Sequence, residues 1–165
     1  MIEVSRARTS DVEGIHRLVE PQAGRRVLLA KETVAYYESV PEFRVVRDEA
    51  GEVVGCGALH VMWRDLAEVR TLTVREDQLG TGVGSALLHR LIEDAREIGV
   101  SRVFCLTFET DFFARHGFEA IEGIPVEHEV YSELLRSYDE GVAEFLDLER
   151  VKPNTLGNTR MLRIL

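Results

Sequence analysis

VRTLTV at residues 69–74 has the pattern of an apolar strand. It is followed by a glycine loop, QLGTGVGS at residues 78–85, and then by ALL at residues 86–88, where a helix starts. Glycines at 80, 82 and 84 let backbone amides converge, because no Cβ stands between them and a ligand. The following helix directs the positive end of its dipole at the same point. A glycine-rich turn that only caps the helix is the alternative, but the apolar strand before the loop and the patterned helix after it favour phosphate binding.

The spacing of the loop narrows the choice of anion. No lysine follows Gly82 or Gly84, as a Walker loop requires, and the third glycine of a dinucleotide fingerprint is replaced by Ser85. The loop instead resembles the acetyl-CoA loop of the GNAT N-acetyltransferases, Arg/Gln-x-x-Gly-x-Gly/Ala. Its first position falls on Leu79, which removes a side chain but leaves the amides that hold pyrophosphate.

Composition sets the outer limits of the function. The chain has 165 residues, of which 45% are hydrophobic, and we expect one domain over residues 1–165. Cys56 and Cys105 lie in apolar runs and are expected to be buried rather than to bind metal. Neither a signal peptide nor an apolar run that could span a bilayer is present, so we expect a cytoplasmic protein with no membrane partner. A net charge of −9 argues against nucleic acid.

Patterning along the chain predicts alternating strands and helices, without a repeat or a linker. The predicted helices and strands, together with their end signals, are a strand 2–7, a capping box 10–13 before a helix ended by Pro21, a helix 33–40 stopped by Pro41, a hairpin of strands 43–46 and 53–61 around Gly51, a strand 66–74, a helix 85–98, a strand 103–108, a helix 110–115, amphipathic helices 130–138 and 142–148, a polar loop 152–159 and a strand 161–165.

A second motif supports the same family. TDFFARHGF at residues 110–118 resembles the GNAT segment ending Phe-Tyr-x-x-x-Gly-Phe, which packs beside the CoA thiol. Phe113 occupies the tyrosine position, so another group or a water would have to protonate the departing thiolate. The order of elements is also that of GNAT proteins, which implies an α/β (α+β) fold with a mixed, strongly twisted central sheet flanked by helices. The resemblance implies acetyl-CoA as co-substrate, no metal, and CoA contacts at Leu72, Thr73, Val74, Leu79, Gly80, Thr81, Gly82, Val83, Gly84, Ser85 and Phe112.

Within this superfamily the chain looks most similar to the acetyltransferase domain of N-acetylglutamate synthases. The similar stretches are RARTSD at 6–11, VLL at 27–29, CGAL at 56–59, Glu68, LT at 106–107 and FFxxxGF at 112–118. The resemblance implies transfer of acetyl to the α-amino group of L-glutamate, with L-glutamine as an alternative acceptor, in the first step of arginine biosynthesis. An acetyltransferase for another small amine or a protein N-terminus, and a non-catalytic acyl-CoA sensor, are competing interpretations. The sequence leaves a homodimer open.

The same resemblance suggests roles for individual residues. Glu68 would accept the ammonium proton, unless it only forms a surface ion pair with Arg70 on the same strand face. The amides of Leu72 and Val74 would bind the acetyl oxygen and the pantetheine arm. Thr110 would donate to the thiolate, or would simply be a helix N-cap. The residues expected at the acceptor amino acid are Lys31, Arg70, Asn158 and Arg160, with Asn154 and Thr159 nearby.

Overall fold

A computed structural model describes residues 1–24, 32–148 and 157–165 of the chain. Seven strands and six α-helices lie in these ranges. In chain order they are β1 Ser5–Arg6, α1 Val12–Gly24, α2 Thr33–Glu38, β2 Phe43–Arg47, β3 Val53–Trp63, β4 Leu66–Val74, α3 Val83–Ile98, β5 Arg102–Thr107, α4 Thr110–Arg115, β6 Glu119–Ala120, α5 His128–Leu134, α6 Glu140–Phe145 and β7 Thr159–Ile164.

The strands form one mixed sheet in the order β1-β2-β3-β4-β5-β7-β6. Strands β4 and β5 are parallel, and every other neighbouring pair of the described strands is antiparallel. The β4–β5 ladder is short: it joins residues 66–68 to residues 102–104 and ends at the pair Glu68 and Phe104. Because β4 continues to Val74, its last six residues have no described strand beside them on that side. The predicted mixed sheet is confirmed, and it is split at Glu68.

Helix α3 covers one face of the sheet. The stripe predicted from its sequence is buried as expected, at Leu87, Leu88, Leu91, Ile92 and Ala95. The helix ends at Gly99, which has the left-handed φ of +98° that suits a glycine C-cap. Helix α1 buries Val12, Ile15 and Val19 in a separate cluster with residues of β2 and β3 and with Tyr36 of α2. The sheet is therefore closed by α3 on one face and by α1 and α2 on the other.

Several boundaries differ from the sequence prediction. Pro21 lies inside α1, which continues to Gly24; the proline falls in the last turn, so its lost amide bond and its crowding of the preceding turn do not end the helix at that residue. Helix α2 ends at Glu38, and Pro41 belongs to a short 3-10 turn at Val40–Glu42. The capping box is shifted toward the N-terminus, since the Asp11 carboxylate accepts from the amide of Arg8 at 2.6 Å. Strand β6 was not predicted, because two residues are too few to show alternation.

Both cysteines are buried, as predicted. None of the described helices is long and apolar enough to cross a lipid bilayer. Within the described ranges, histidine, cysteine and carboxylate side chains form no group of three or more that could hold a metal ion.

Candidate active site

The glycine loop between β4 and α3 presents a set of unpaired amides. Gly80 and Gly82 have φ angles of +77° and +94°, a left-handed conformation that favours glycine. The first i→i−4 bond of the helix runs from the Ala86 amide to the Gly82 carbonyl at 3.0 Å. The amides of Gly80, Gly82 and residues 83–85 therefore have no acceptor among the described residues. Such convergent amides at a helix N-terminus are suited to binding phosphate.

Strand β4 offers further amides where it leaves β5. The Arg75 amide donates to the Val54 carbonyl of β3 at 2.8 Å. Since successive amides of a regular strand point in opposite directions, that of Val74 faces the open side. A bulge opposite Gly57 includes Thr71 and Leu72; the pairing shifts there, and buried Thr71 has a φ of +59°. This bulge bends β4 at the point where the sheet splits.

Helix α4 brings Phe112 beside the glycine loop. A methyl group built on Gly84 would lie 3.6 Å from the Phe112 ring and 3.6 Å from Cγ2 of Val74, so the helix start, the strand end and the aromatic ring meet. Phe113 points elsewhere: it is buried and packs edge-on against Phe118, with ring centroids 5.2 Å apart. A phenyl ring without a hydroxyl fits that apolar environment.

Glu68 lies at the point where the sheet divides, and it is 3% exposed. Its Oε1 accepts from Nε of Arg70 at 2.6 Å, and the Arg70 side chain is 10% exposed. Nη1 of Arg70 donates to both carboxylate oxygens of Asp139, at 2.8 and 2.9 Å. The ion pair considered for Glu68 therefore exists, but the prediction of a surface pair was wrong. Helix α6 covers it, which the sequence pattern did not reveal.

The charges of this cluster stabilise one another. Burial acts against the charge on Arg70, but Glu68 and Asp139 outweigh it and raise the pKa of the guanidinium. Burial likewise acts against the Asp139 carboxylate, yet Arg70 and His60 hold its pKa below the usual value. Arg70 and Asp139 are thus expected to be charged at neutral pH. The Nη2 atom of Arg70 is buried and has no hydrogen-bond partner in the described part of the chain.

Arg160 of β7 lies close to the same cluster but is held by backbone. Its Nη2 donates to the carbonyls of Glu144 and Phe145, at 3.1 and 2.6 Å, and its Nη1 to that of Gly123 at 3.3 Å. Burial lowers the pKa of Arg160, and Glu68 is among the carboxylates that oppose this shift. The guanidinium therefore caps the end of α6, and most of its donors are already used.

The remaining predicted residues lie at the edges of the site. Thr110 is the first residue of α4, not its N-cap, which is Glu109; its hydroxyl has no partner among residues 1–24, 32–148 and 157–165. The alternative reading of Thr110 as an N-cap was therefore wrong. Asn158 is half-buried beside β7. Lys31, Asn154, the turn 27–29 and the polar loop before Gly157 lie outside the described residues.

The other residues predicted to bind the cofactor differ in how far they are exposed to solvent. Thr73 is buried, and its hydroxyl has no partner in the described ranges. Leu79, Thr81 and Ser85 are exposed around the loop. Thr81 stabilises the loop from within, since its hydroxyl donates to the Gln78 carbonyl at 2.5 Å. An exposed loop rim beside unpaired amides leaves room for a large anionic ligand.

Comparison with known families decides the class of protein. The family described as "Acetyltransferase (GNAT) family" matches residues 13–120, which include β2 to β5, the glycine loop and α4. The chain belongs to the GNAT acetyltransferase family. The predicted GNAT fold and the predicted acyltransferase activity with acetyl-CoA are thereby confirmed.

Individual relatives resemble this acetyltransferase over nearly its full length. An amino-acid acetyltransferase of Mycobacterium tuberculosis is 58% identical over 98% of this chain and 94% of its own. The solved structure of Rv2747 from Mycobacterium tuberculosis, in complex with CoA and NLQ, superposes with a TM-score of 0.95 at 57% identity and covers 99% of each chain. The N-acetylglutamate synthase of Neisseria gonorrhoeae superposes with a TM-score of 0.79 over 100% of this chain and 35% of its own; at 23% identity it supports the fold alone.

Sequence reasoning missed two residues of the site, Asp139 and Gly141. Asp139 carried a weak signal, because an aspartate directly before a helix is a common N-cap. Its side chain does accept from the Val142 amide at 2.9 Å. Nothing in the sequence indicates that it also meets Arg70, which lies 69 residues earlier in the chain.

Proposed function

We propose that this acetyltransferase transfers the acetyl group of acetyl-CoA to the α-amino group of an amino acid, with L-glutamate and L-glutamine as the acceptors and arginine biosynthesis as the context. The buried Glu68 carboxylate at the split of the sheet carries the proposal. It lies on β4. The free amides of this strand follow Glu68 in the chain, and the glycine loop comes directly after the strand. The identity of 58% to an amino-acid acetyltransferase supports the class of acceptor.

The glycine loop would hold the pyrophosphate of acetyl-CoA. The unpaired amides of Gly80, Gly82 and residues 83–85 supply the donors, and no lysine or arginine side chain is needed for them. The amides of Leu72 and Val74 would bind the pantetheine arm and the acetyl oxygen, where negative charge develops as the amine adds. Phe112 would border the arm, since it lies against Gly84.

Glu68 would act as the general base. The acceptor amine must lose a proton before its nitrogen can attack the thioester carbonyl, and a carboxylate within reach accepts that proton directly or through a water. A C–N bond then forms and the C–S bond breaks. The thiolate takes a proton from a nearby donor, and the proton that the nitrogen loses as it becomes an amide restores that donor. Phe113 cannot supply this proton. The Thr110 hydroxyl, which no described residue binds, is the proposed donor or holds the water that donates.

The acceptor would lie on the face of β4 that carries Glu68 and Arg70. Arg70 stays a proposed contact of the amino-acid substrate through Nη2, a donor with no partner among the described residues that lies buried against Gly141 of α6. Asn158 and Lys31 remain proposed contacts, whereas Arg160 has fewer free donors than expected. A single GNAT domain over residues 1–165 and a homodimer also remain predictions.

Thiol release from acetyl-CoA in the presence of each of the twenty amino acids tests the proposal. We expect turnover with glutamate or glutamine, and no turnover with any amino acid would contradict it. The Glu68→Gln variant keeps an oxygen for Arg70 but cannot accept the proton, so kcat should fall by about 10²–10⁴-fold near pH 7 with the acetyl-CoA KM little changed. Unchanged kcat in this variant would remove Glu68 as the base while leaving the acceptor class intact.

A further inference from the structure

We infer that Asp139 is a positioning residue for the catalytic carboxylate: through Arg70 it holds Glu68 in place, and Gly141 provides the space for this contact. The inference rests on the proposed role of Glu68 and adds a second layer to the site from α6. Strand β4 carries Glu68 and Arg70, whereas Asp139 and Gly141 come from the start of α6, so the C-terminal part of the chain would control the geometry of the base.

Arg70 links the two carboxylates through different nitrogen atoms. Nε is committed to Oε1 of Glu68 and Nη1 to both oxygens of Asp139. The guanidinium is planar and rigid, so two contacts at fixed angles define its position and orientation. Oε2 of Glu68 accepts no hydrogen bond from the described residues. Arg70 thus fixes one oxygen and leaves the other for the substrate proton.

Asp139 is itself firmly held. It is the N-cap of α6, where it accepts from the Val142 amide, and its own amide donates to the Ser137 hydroxyl at 3.1 Å. The helix is anchored in turn, because the buried Phe145 ring packs edge-on against Phe104 with centroids 4.8 Å apart. Phe104 is the β5 residue that pairs with Glu68. Glu68 and α6 are therefore connected in two ways, by the ion pairs through Arg70 and by the apolar contact between Phe104 and Phe145.

Gly141 allows the guanidinium to lie against the first turn of α6. A Cβ at this position would be 2.5 Å from both Cζ and Nη2 of Arg70. Ordinary contacts between such atoms are about 3.5 Å, so the guanidinium would have to move by about 1 Å. The helix itself favours alanine over glycine, which means that a methyl group here disturbs Arg70 without weakening α6.

Other charged or titratable groups face this network from neighbouring strands. His60 of β3 is paired with Glu42 and acts on Asp139, and Arg160 of β7 and Cys105 of β5 interact with Glu68. Burial and the neighbouring Glu68 raise the pKa of the Cys105 thiol, which is therefore neutral at the pH of the assay. All of these groups stay unchanged in the variants described next.

Two variants of α6 and one control test the inference. Asp139→Asn retains a good N-cap but loses the charge, and Gly141→Ala displaces Arg70 while every charge remains. Asp94→Asn is the matched control: Asp94 also accepts two bonds from a shielded arginine, Arg44, both at 2.7 Å, but on α3 and away from Glu68. We expect kcat to fall by at least tenfold in both α6 variants, with the acetyl-CoA KM within about twofold, and to stay unchanged in the control.

The dependence on pH separates positioning from general damage. If Glu68 is misplaced, the loss of kcat/KM should shrink above the pKa of the substrate's own ammonium group, because the amine then arrives neutral. A loss that is equal at all pH values, or a kcat within twofold of wild type in both variants, would overturn the inference. Absence of wild-type turnover with every amino acid would instead refute the proposed function. A normal kcat in Glu68→Gln would refute the role of the base.

Discussion

Replacing Gly82 by alanine gives the sharpest test of the glycine loop. Gly82 is the N-cap of α3 and has a φ of +94°. An added Cβ would meet only Cδ1 of Ile2, at 3.5 Å, which is an ordinary contact. The substitution therefore creates no clash, and its cost to the folded protein is the left-handed backbone alone, about 1–2 kcal/mol.

Gly99 provides the control at the other end of the same helix. Its φ is +98°, it is the C-cap of α3, and an added Cβ would meet nothing within 4 Å. Gly99→Ala should thus carry the same conformational cost as Gly82→Ala, far from the loop. For a chain of this length about 1–2 kcal/mol corresponds to a fall of roughly 2–8 °C in the melting temperature.

The two variants should differ in affinity for CoA. In both variants the left-handed conformation is disfavoured by the same amount, but only in Gly82→Ala does a change of φ turn the loop amides away from their common point, and only there does the new methyl group lie at the rim of the loop. We expect the Kd for CoA, measured by isothermal titration calorimetry, to rise about tenfold, or about 1.4 kcal/mol. Gly99→Ala should bind CoA like the wild type. Equal affinities in the two variants, after equal losses of stability, would refute the backbone-built cradle.

Two further predictions concern stability. Gly55→Ala should lower the free energy of unfolding by about 1–3 kcal/mol in urea denaturation, because its Cβ would lie 2.6 Å from Cγ1 of Val83; a neutral result would mean that α3 can shift away from the sheet. For Asp11, burial acts against the carboxylate, but the hydrogen bonds from Arg47 and from the Arg8 amide, together with the charges of both arginines, outweigh it and lower the pKa below the usual 3.8. This interaction stabilises the fold above pH 3.8 and is lost as the pH falls through the lower folded value, so Asp11→Asn should be less stable by about 2 kcal/mol at pH 7, and the difference should vanish in strong acid.

Local pattern was sufficient for much of the fold. The bounds of β4 and of α4 were predicted to the residue, and α3 was predicted to within two residues. These segments combine a clear period with a clear end signal, such as Gly99 after α3. The errors arose where a local rule is weak: Pro21 did not end its helix, and the strand at the N-terminus is shorter than its alternation suggested.

The chemistry of the site divides in the same way. The glycine loop could be predicted from the sequence because its hydrogen-bond donors are backbone amides, and the positions of these amides depend on consecutive residues. Glu68 was proposed as the base through resemblance, and its surroundings were misjudged, since burial depends on what packs over a strand. The covering element is α6, whose Asp139 and Gly141 meet Arg70 across about half of the chain.

What the sequence alone determined is the family, the glycine loop between β4 and α3 and the order of strands and helices, because each depends on short-range spacing. What only the tertiary structure decided is that the sheet parts at Glu68, that the ion pair with Arg70 is buried, and that α6 holds it. These features depend on contacts between residues distant in the chain. The distance between two such side chains, unlike the hydrophobic period of a helix or strand, cannot be inferred from residues that are adjacent in the sequence.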